Sequence, residues 1–259
     1  MHKTILGLAA WAMTSTAALS QASIDDQRAA LAAEERGDAV AALAAADRLE
    51  STARTAGAAG QALRITAWQV RSQFSSSADF LARPEPTSDQ PEVRPIWRAL
   101  RIAVLARDGQ VGPARDELKL MRLEGFHDKL AGNATPQARI AEHVAVARIN
   151  FAMKNYRGAA ERFTRAAEIE AKADAGGPPV WHQPLDSALG AALLRAGDAR
   201  AAYAAFGRAL ARRPDSPWVL WGRAQAEKAL GNAAASSATL GEVDKRWSGD
   251  KRWLTLDRL

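Results

Sequence analysis

Apolar residues recur along this chain every three to four positions, the spacing of one face of an α-helix, and the pattern is cut by a few sharp breaks. From Ser23 to Ala82 it predicts helices, with Ser23 and Asp26 spaced like a capping box and a helix from about Gln61 to Gln73 carrying Leu63, Ile65, Trp68 and Val70. RPEPTSDQPEVRP (Arg83 to Pro95) holds four prolines and no periodicity, so it reads as a linker or ordered loop. Helical patterning resumes over Ile96–Arg107 and Gly112–Leu123, breaks at Gly132–Pro136, and returns until a Gly-Gly-Pro-Pro stop at Gly176–Pro179.

The strongest stretch is LGAALLRAGDARAAYAAFGRALARRP (Leu189 to Pro214). With Gly190 at position 8 of a 34-residue unit, Gly197 falls at 15, Ala202 at 20, Phe206 at 24, Ala209 at 27 and Pro214 at 32. Small residues let two antiparallel helices approach, Phe206 fills the space between them, and Pro214 ends the second because it lacks an amide donor. The next unit keeps phase, since Gly231 lies 34 residues after Gly197. In the preceding unit Tyr156, Ala159, Phe163 and Ala166 fall at positions 17, 20, 24 and 27. Gly37 stands before an alanine-rich helix much as Gly197 does, and Gly109, Ala114 and Leu118 follow the same small-then-bulky order.

On these residues, positions 140–250 resemble tetratricopeptide repeats, and the tract around Leu189–Pro214 resembles the C-terminal halves of exported bacterial proteins of that superfamily. Trp247-Ser248-Gly249-Asp250, with Leu254 and Leu259, is similar to their closing helix. The resemblance implies an all-α fold, a right-handed superhelical solenoid of antiparallel helix pairs, and a binding role. The last repeat departs from the pattern at Arg223 and Glu227, where apolar residues are usual, and their spacing of four lets them pair. The expected organisation is an export signal over 1–22, a region of degenerate helical repeats over 23–83, a proline-rich linker or loop over 84–95, the solenoid over 96–250 and a capping segment over 251–259.

In such a solenoid the first helix of each pair lines the concave face. The register puts Ala141, Val144, Arg148, Phe151 and Ala152 there, then Pro184, Ser187, Ala191, Leu194 and Arg195, then Trp218, Trp221, Gln225, Lys228 and Ala229. Arg148, Phe151, Arg195, Trp218, Trp221, Gln225 and Lys228 are therefore the candidate binding residues, a basic and aromatic groove suited to a peptide bearing a carboxylate or acidic side chains. Against this stands the common case, in which charged helix faces are simply solvated and the tryptophans pack between repeats.

Composition supports the helical reading, with 60 alanines among the 259 residues. The net charge of +6 falls to +5 without residues 1–22, where Lys3 is the single charge. Lys3, an uncharged apolar run from Ile5 to Leu19, and small residues Ser20 and Ala22 make an export signal with cleavage after about Ala22. The run is shorter than the roughly 20 apolar residues of a spanning helix. The expectation is an exported, periplasmic chain without stable membrane insertion, with an envelope protein or peptide, acidic in character, as partner and no nucleic acid.

Candidate chemistry is sparse. Cysteine is absent, which removes disulfides and thiolate metal sites. His127, His143 and His182 are isolated, without a second histidine at helical spacing for a metal. There is no nucleophile elbow, phosphate loop or dinucleotide fingerprint, so the expectation is a non-enzymatic scaffold with no catalytic, metal or cofactor residues. KRWSGDKRW (Lys245 to Trp253) interleaves cations with indoles. It reads first as a cap over the end of the stack, and alternatively as a stacking surface for a cell-envelope glycan such as peptidoglycan.

Overall fold

The computed structural model describes residues 20–57, 60–86, 93–124, 135–173, 181 and 183–259. The export signal lies almost wholly outside these residues, as do His127, His182 and the Gly176–Pro179 stop. The described chain is all-helical, with twelve α-helices and no strand, and each helix packs on its neighbours in sequence as a helical-repeat solenoid. The helices are α1 (Gln21–Glu35), α2 (Ala39–Thr55), α3 (Gly60–Phe74), α4 (Ser77–Leu81), α5 (Arg94–Arg107), α6 (Val111–Leu123), α7 (Pro136–Ala152), α8 (Tyr156–Ala173), α9 (Leu185–Arg195), α10 (Ala199–Arg212), α11 (Pro217–Ala229) and α12 (Ala233–Arg246). Two short 3-10 turns follow, Lys251–Trp253 and Leu256–Arg258. Among the described residues no helix is long and apolar enough to cross a membrane.

Five hairpins share one turn. Gly37, Gly109, Gly197 and Gly231 sit at φ of +71°, +76°, +88° and +80°, between helices α1 and α2, α5 and α6, α9 and α10, and α11 and α12. Lys154, at φ of 60°, takes the same place between α7 and α8. In each, the next residue donates its amide to a carbonyl five positions back: Asp38 to Ala33, Gln110 to Leu105, Asn155 to Asn150, Asp198 to Leu193 and Asn232 to Glu227. This closes the helix C-terminus with a left-handed residue. Asp38, Asp198 and Asn232 then cap the following helix by accepting the amide of the residue three positions on.

The N-terminal cap differs from the sequence expectation. Ser20, rather than Ser23, caps α1, accepting the Ser23 amide at 3.2 Å, and Ser23 is buried inside the helix. The stretch expected as a linker is shorter, because α5 starts at Arg94 with Pro95 in its first turn, where a missing amide costs nothing. The core continues across it, since Trp68 of α3 and Phe80 of α4 lie 4.8 and 5.3 Å from Trp97 of α5 between ring centroids.

Buried apolar residues form two clusters. One runs through the middle of the stack from α3 to α10. The other joins α1, α2 and α3 to α9, α10, α11, α12 and the segment beyond, so that the first hairpin meets the last. The main chain closes this contact: the amides of Ser248 and Gly249 both donate to the Arg36 carbonyl, at 3.0 and 3.2 Å. Trp218 of α11 donates its indole N–H to the Glu34 carbonyl at 2.9 Å, and Arg213 reaches Glu35 at 3.4 Å. The solenoid thus returns on itself and encloses its inner face.

Candidate functional site

The odd-numbered helices supply the inner face. Gln69, Ser72 and Gln73 from α3, Leu100 and Arg107 from α5, and Val144 and Arg148 from α7 surround a cavity of about 50 Å³, together with Trp181, Asp257 and Arg258. The face is occupied by the chain's own last residues. Arg148 donates to the carbonyls of Asp257 and Leu259, at 2.9 and 2.7 Å, and Gln73 Nε2 donates to the intervening Arg258 carbonyl at 3.2 Å. Arg258 returns a bond from its guanidinium to the Gln73 carbonyl. Three consecutive main-chain carbonyls are therefore held by side chains of α3 and α7, a way of gripping a peptide that does not depend on its side chains.

Leucines fix the segment's depth. Leu254 and Leu259 are buried and Leu256 is half-buried against the second core cluster. Leu259 sits over Gly222 of α11, where a Cβ would lie 2.8 Å from its Cδ1. Trp253 meets the edge of Phe74, with ring centroids 5.4 Å apart, and carries the guanidinium groups of Arg252 and Arg258 at 4.7 and 4.5 Å from its own.

Charge in the cavity is unevenly matched. Arg107 hydrogen-bonds the Ser72 carbonyl and, at 3.0 Å, the Ser75 carbonyl, with Asp108 at 3.5 Å. Burial lowers the pKa of Arg107 from the usual arginine value, partly offset by Asp108 and Asp257. Burial also brings Arg148 down to about 10; Asp257 opposes that shift and neighbouring Arg107 adds to it. Arg258 falls to about 10 from burial and then from Arg107. Asp108 and Asp257 are the acids acting on these cations.

The seven candidate binding residues do not form one open surface. Arg148 is on the inner face, but its donors are engaged by residues 257 and 259, and its guanidinium lies 5.4 Å from the Phe163 ring centroid. Phe151 is half-buried with Tyr156 edge-on at 5.1 Å. Trp218 is buried, turned toward α1 by its bond to Glu34 and packed edge-on against Trp247 at 4.9 Å. Trp221 and Gln225 are half-buried, while Arg195 and Lys228 are exposed at the ends of α9 and α11. Gln73, Arg107 and Gln69 belong to the site and were missed, because the sequence register was strongest in the C-terminal repeats and they lie on α3 and α5.

The Lys245–Trp253 segment contains no α-helix beyond Arg246 and does not lie as a helical cap. Trp247 is buried and Trp253 half-buried, both against residues of this chain. Arg223 and Glu227 pair at 3.0 Å, and Thr239 donates to the other Glu227 oxygen at 2.8 Å, which satisfies the acid at its unusual buried position. His143 is buried in α7. Among the described residues no group of three or more His, Cys, Asp or Glu side chains is placed to hold a metal ion.

Fold and inner face together define a helical-repeat solenoid whose inner face is covered by residues 254–259. A family model described as tetratricopeptide repeat matches residues 193–256, from the end of α9 through α12 to Leu256, and supports a tetratricopeptide-repeat reading of that stretch. Such repeats generally mediate protein–protein interaction. Neither a curated protein nor a solved structure matches the chain.

Proposed function

We propose that this protein is an exported, periplasmic scaffold without enzymatic activity that holds a peptide segment of an envelope protein on its inner face. The observation that carries the reading is the grip of Arg148 and Gln73 on the three successive carbonyls of residues 257–259. A groove that bonds a main chain at this density accepts peptide as its natural ligand class. Arg107 and Arg148 on the groove walls favour an acidic partner. Exposed Arg195 and Lys228 extend the same preference outward along α9 and α11.

The glycan reading gains nothing from the indoles, which are engaged within the chain. Crosslinking of the mature protein in cells, followed by identification of what is attached, tests the proposal. A specific envelope protein whose recovery falls on Gln73→Ala/Arg148→Gln substitution is expected. Recovery unchanged by that double substitution, or peptidoglycan alone, overturns it.

A further inference from the structure

The inner groove is filled, yet the fit of its occupant is poor in ways that single out a better one. Residues 254–259 leave two buried polar atoms without a hydrogen-bond partner, Gln69 Oε1 on the groove wall and Thr255 Oγ1 on the segment itself. A cavity of about 50 Å³ remains between the segment and the walls. The segment also brings a third guanidinium, Arg258, to a cavity already lined by Arg107 and Arg148, with one carboxylate of its own, Asp257, set against the three cations. Buried like charges repel across short distances in a medium of low polarity.

Its attachment suits a removable occupant. Residues 254–259 have no α-helix of their own, and the wall holds them through side chains onto carbonyls rather than through a shared main-chain ladder. The main-chain tie to the body lies upstream, at Ser248 and Gly249. That tie is a tight one. A Cβ on Gly249 would lie 1.8 Å from the Gly37 carbonyl oxygen, so the two turns meet as backbone against backbone.

We propose that Leu254–Leu259 is an internal competitor for the peptide groove, displaced by a partner segment with leucines in the places of Leu256 and Leu259 and an acidic side chain in the place of Arg258. This rests on the peptide-binding reading above and adds its regulation. The acidic residue replaces a repelling cation with an attracting anion beside Arg107 and Arg148. A donor on the incoming segment satisfies Gln69. While the internal segment is seated, the groove is closed to others, and the affinity for a partner is reduced by the fraction of molecules in which it has left.

The test uses the full chain and a fluorescent synthetic peptide of residues Asp250–Leu259, amidated so that no terminal carboxylate contributes. Wild type is compared with two release variants, Gly249→Ala, which separates the Gly37 turn, and Leu259→Asp, which puts a charge into the leucine site. Circular dichroism selects the variant that stays folded, so that loss of one leaves the other informative. The expected result is weak binding to wild type and at least about ten-fold tighter binding to a folded release variant. A peptide carrying Arg258→Glu should bind that variant tighter still, and Arg148→Gln in the same background should abolish binding of both. Equal binding to wild type and a folded release variant overturns the proposal, as does weaker binding of the Arg258→Glu peptide; either makes the segment a permanent part of the core. An envelope partner crosslinked to wild type and not released by excess Arg258→Glu peptide also overturns it while leaving the scaffold reading standing. The expected peptide results without any crosslinked partner support internal occupancy and sink the scaffold reading instead.

Discussion

The indole of Trp247 lies so close to Gly37 that a Cβ at position 37 would be 2.1 Å from its ring. Two residues at opposite ends of the described chain thus share one packing site, and no side chain larger than hydrogen fits on one of them. Gly37 is also left-handed, at φ of +71°. Gly197 has the same conformation at φ of +88°, and a methyl group placed on it would meet nothing within 4 Å. Gly197→Ala is therefore expected to cost about 1 kcal/mol, the strain alone. Gly37→Ala should cost about 2 kcal/mol more from overlap. Urea denaturation of the two variants checks this, and equal losses would mean that the Trp247 contact is not formed in solution.

Arg98 of α5 binds three carboxylates: Glu85 after α4 at 2.6 Å, Glu124 at the end of α6 at 2.7 Å and Glu117 of α6 at 2.8 Å. Burial works against its charge, but the bonds from Glu124 and Glu117 outweigh it and raise its pKa. Arg98→Met leaves Glu117 with Arg101 and Glu124 with Arg94, so the loss should be about 3 kcal/mol, the low end for breaking a buried pair. Arg98→Met/Glu117→Leu should recover part of that loss, read as the chemical denaturation midpoint.

Phe206 locks two repeats together, since a Cβ on Gly190 or Gly222 would lie 2.8 or 2.5 Å from its ring. Phe206→Ala should destabilise by about 3–5 kcal/mol. Gly222→Ala alone should cost about 1–3 kcal/mol. Combined with Phe206→Leu the cost should be less than the sum, because the smaller side chain vacates the space. Additive losses in a double-mutant cycle would count against this packing.

Acid should weaken the protein through Asp108 and Glu124. Burial pushes both carboxyls up, but bonds from Ser77 and Arg107 outweigh it at Asp108, and bonds from Arg98 and Arg94 at Glu124. Both pKa values end below the ordinary 3.8 and 4.5. The folded state thus holds protons less tightly than the unfolded chain, so the stabilisation is present above those values and is lost as pH falls below them. Thermal melts from pH 7 to pH 3 should show Tm dropping below about pH 4.5, and the drop should shrink in Asp108→Asn/Glu124→Gln.

Arg195 and Lys228 are exposed, and their replacement by alanine should leave stability within about 0.5 kcal/mol. If they widen the acidic preference of the groove, capture of a crosslinked partner should fall in the same double variant. Unchanged capture with unchanged stability would leave them as ordinary solvated cations.

What could be read from sequence follows from how each contact is encoded. The hairpin of α9 and α10 was legible because its glycine turn, Phe206 and Pro214 are local and repeat in phase with Gly231. Arg148 was placed on the inner face by the same register. The return of the chain on itself was not legible. Its contacts, such as Trp218 to Glu34, join residues 184 positions apart and leave no periodic mark. For the same reason Trp218 was assigned to an open groove, although its indole N–H finds a carbonyl of the first hairpin and is drawn into the core. Gln73 and Arg107 carry no motif, and only the third dimension makes them neighbours of Arg258.

The bond from Gly249 to Arg36 also alters how such a stack comes apart. An open array of repeats frays from its ends, because the outermost units have a neighbour on one side only. Here the first and last described hairpins are neighbours of each other, so melting from either one must first break that contact. Amide exchange in α1 and α12 should accordingly be as slow as in α7, and severing the tie at Gly249 should turn a single cooperative transition into a stepwise one.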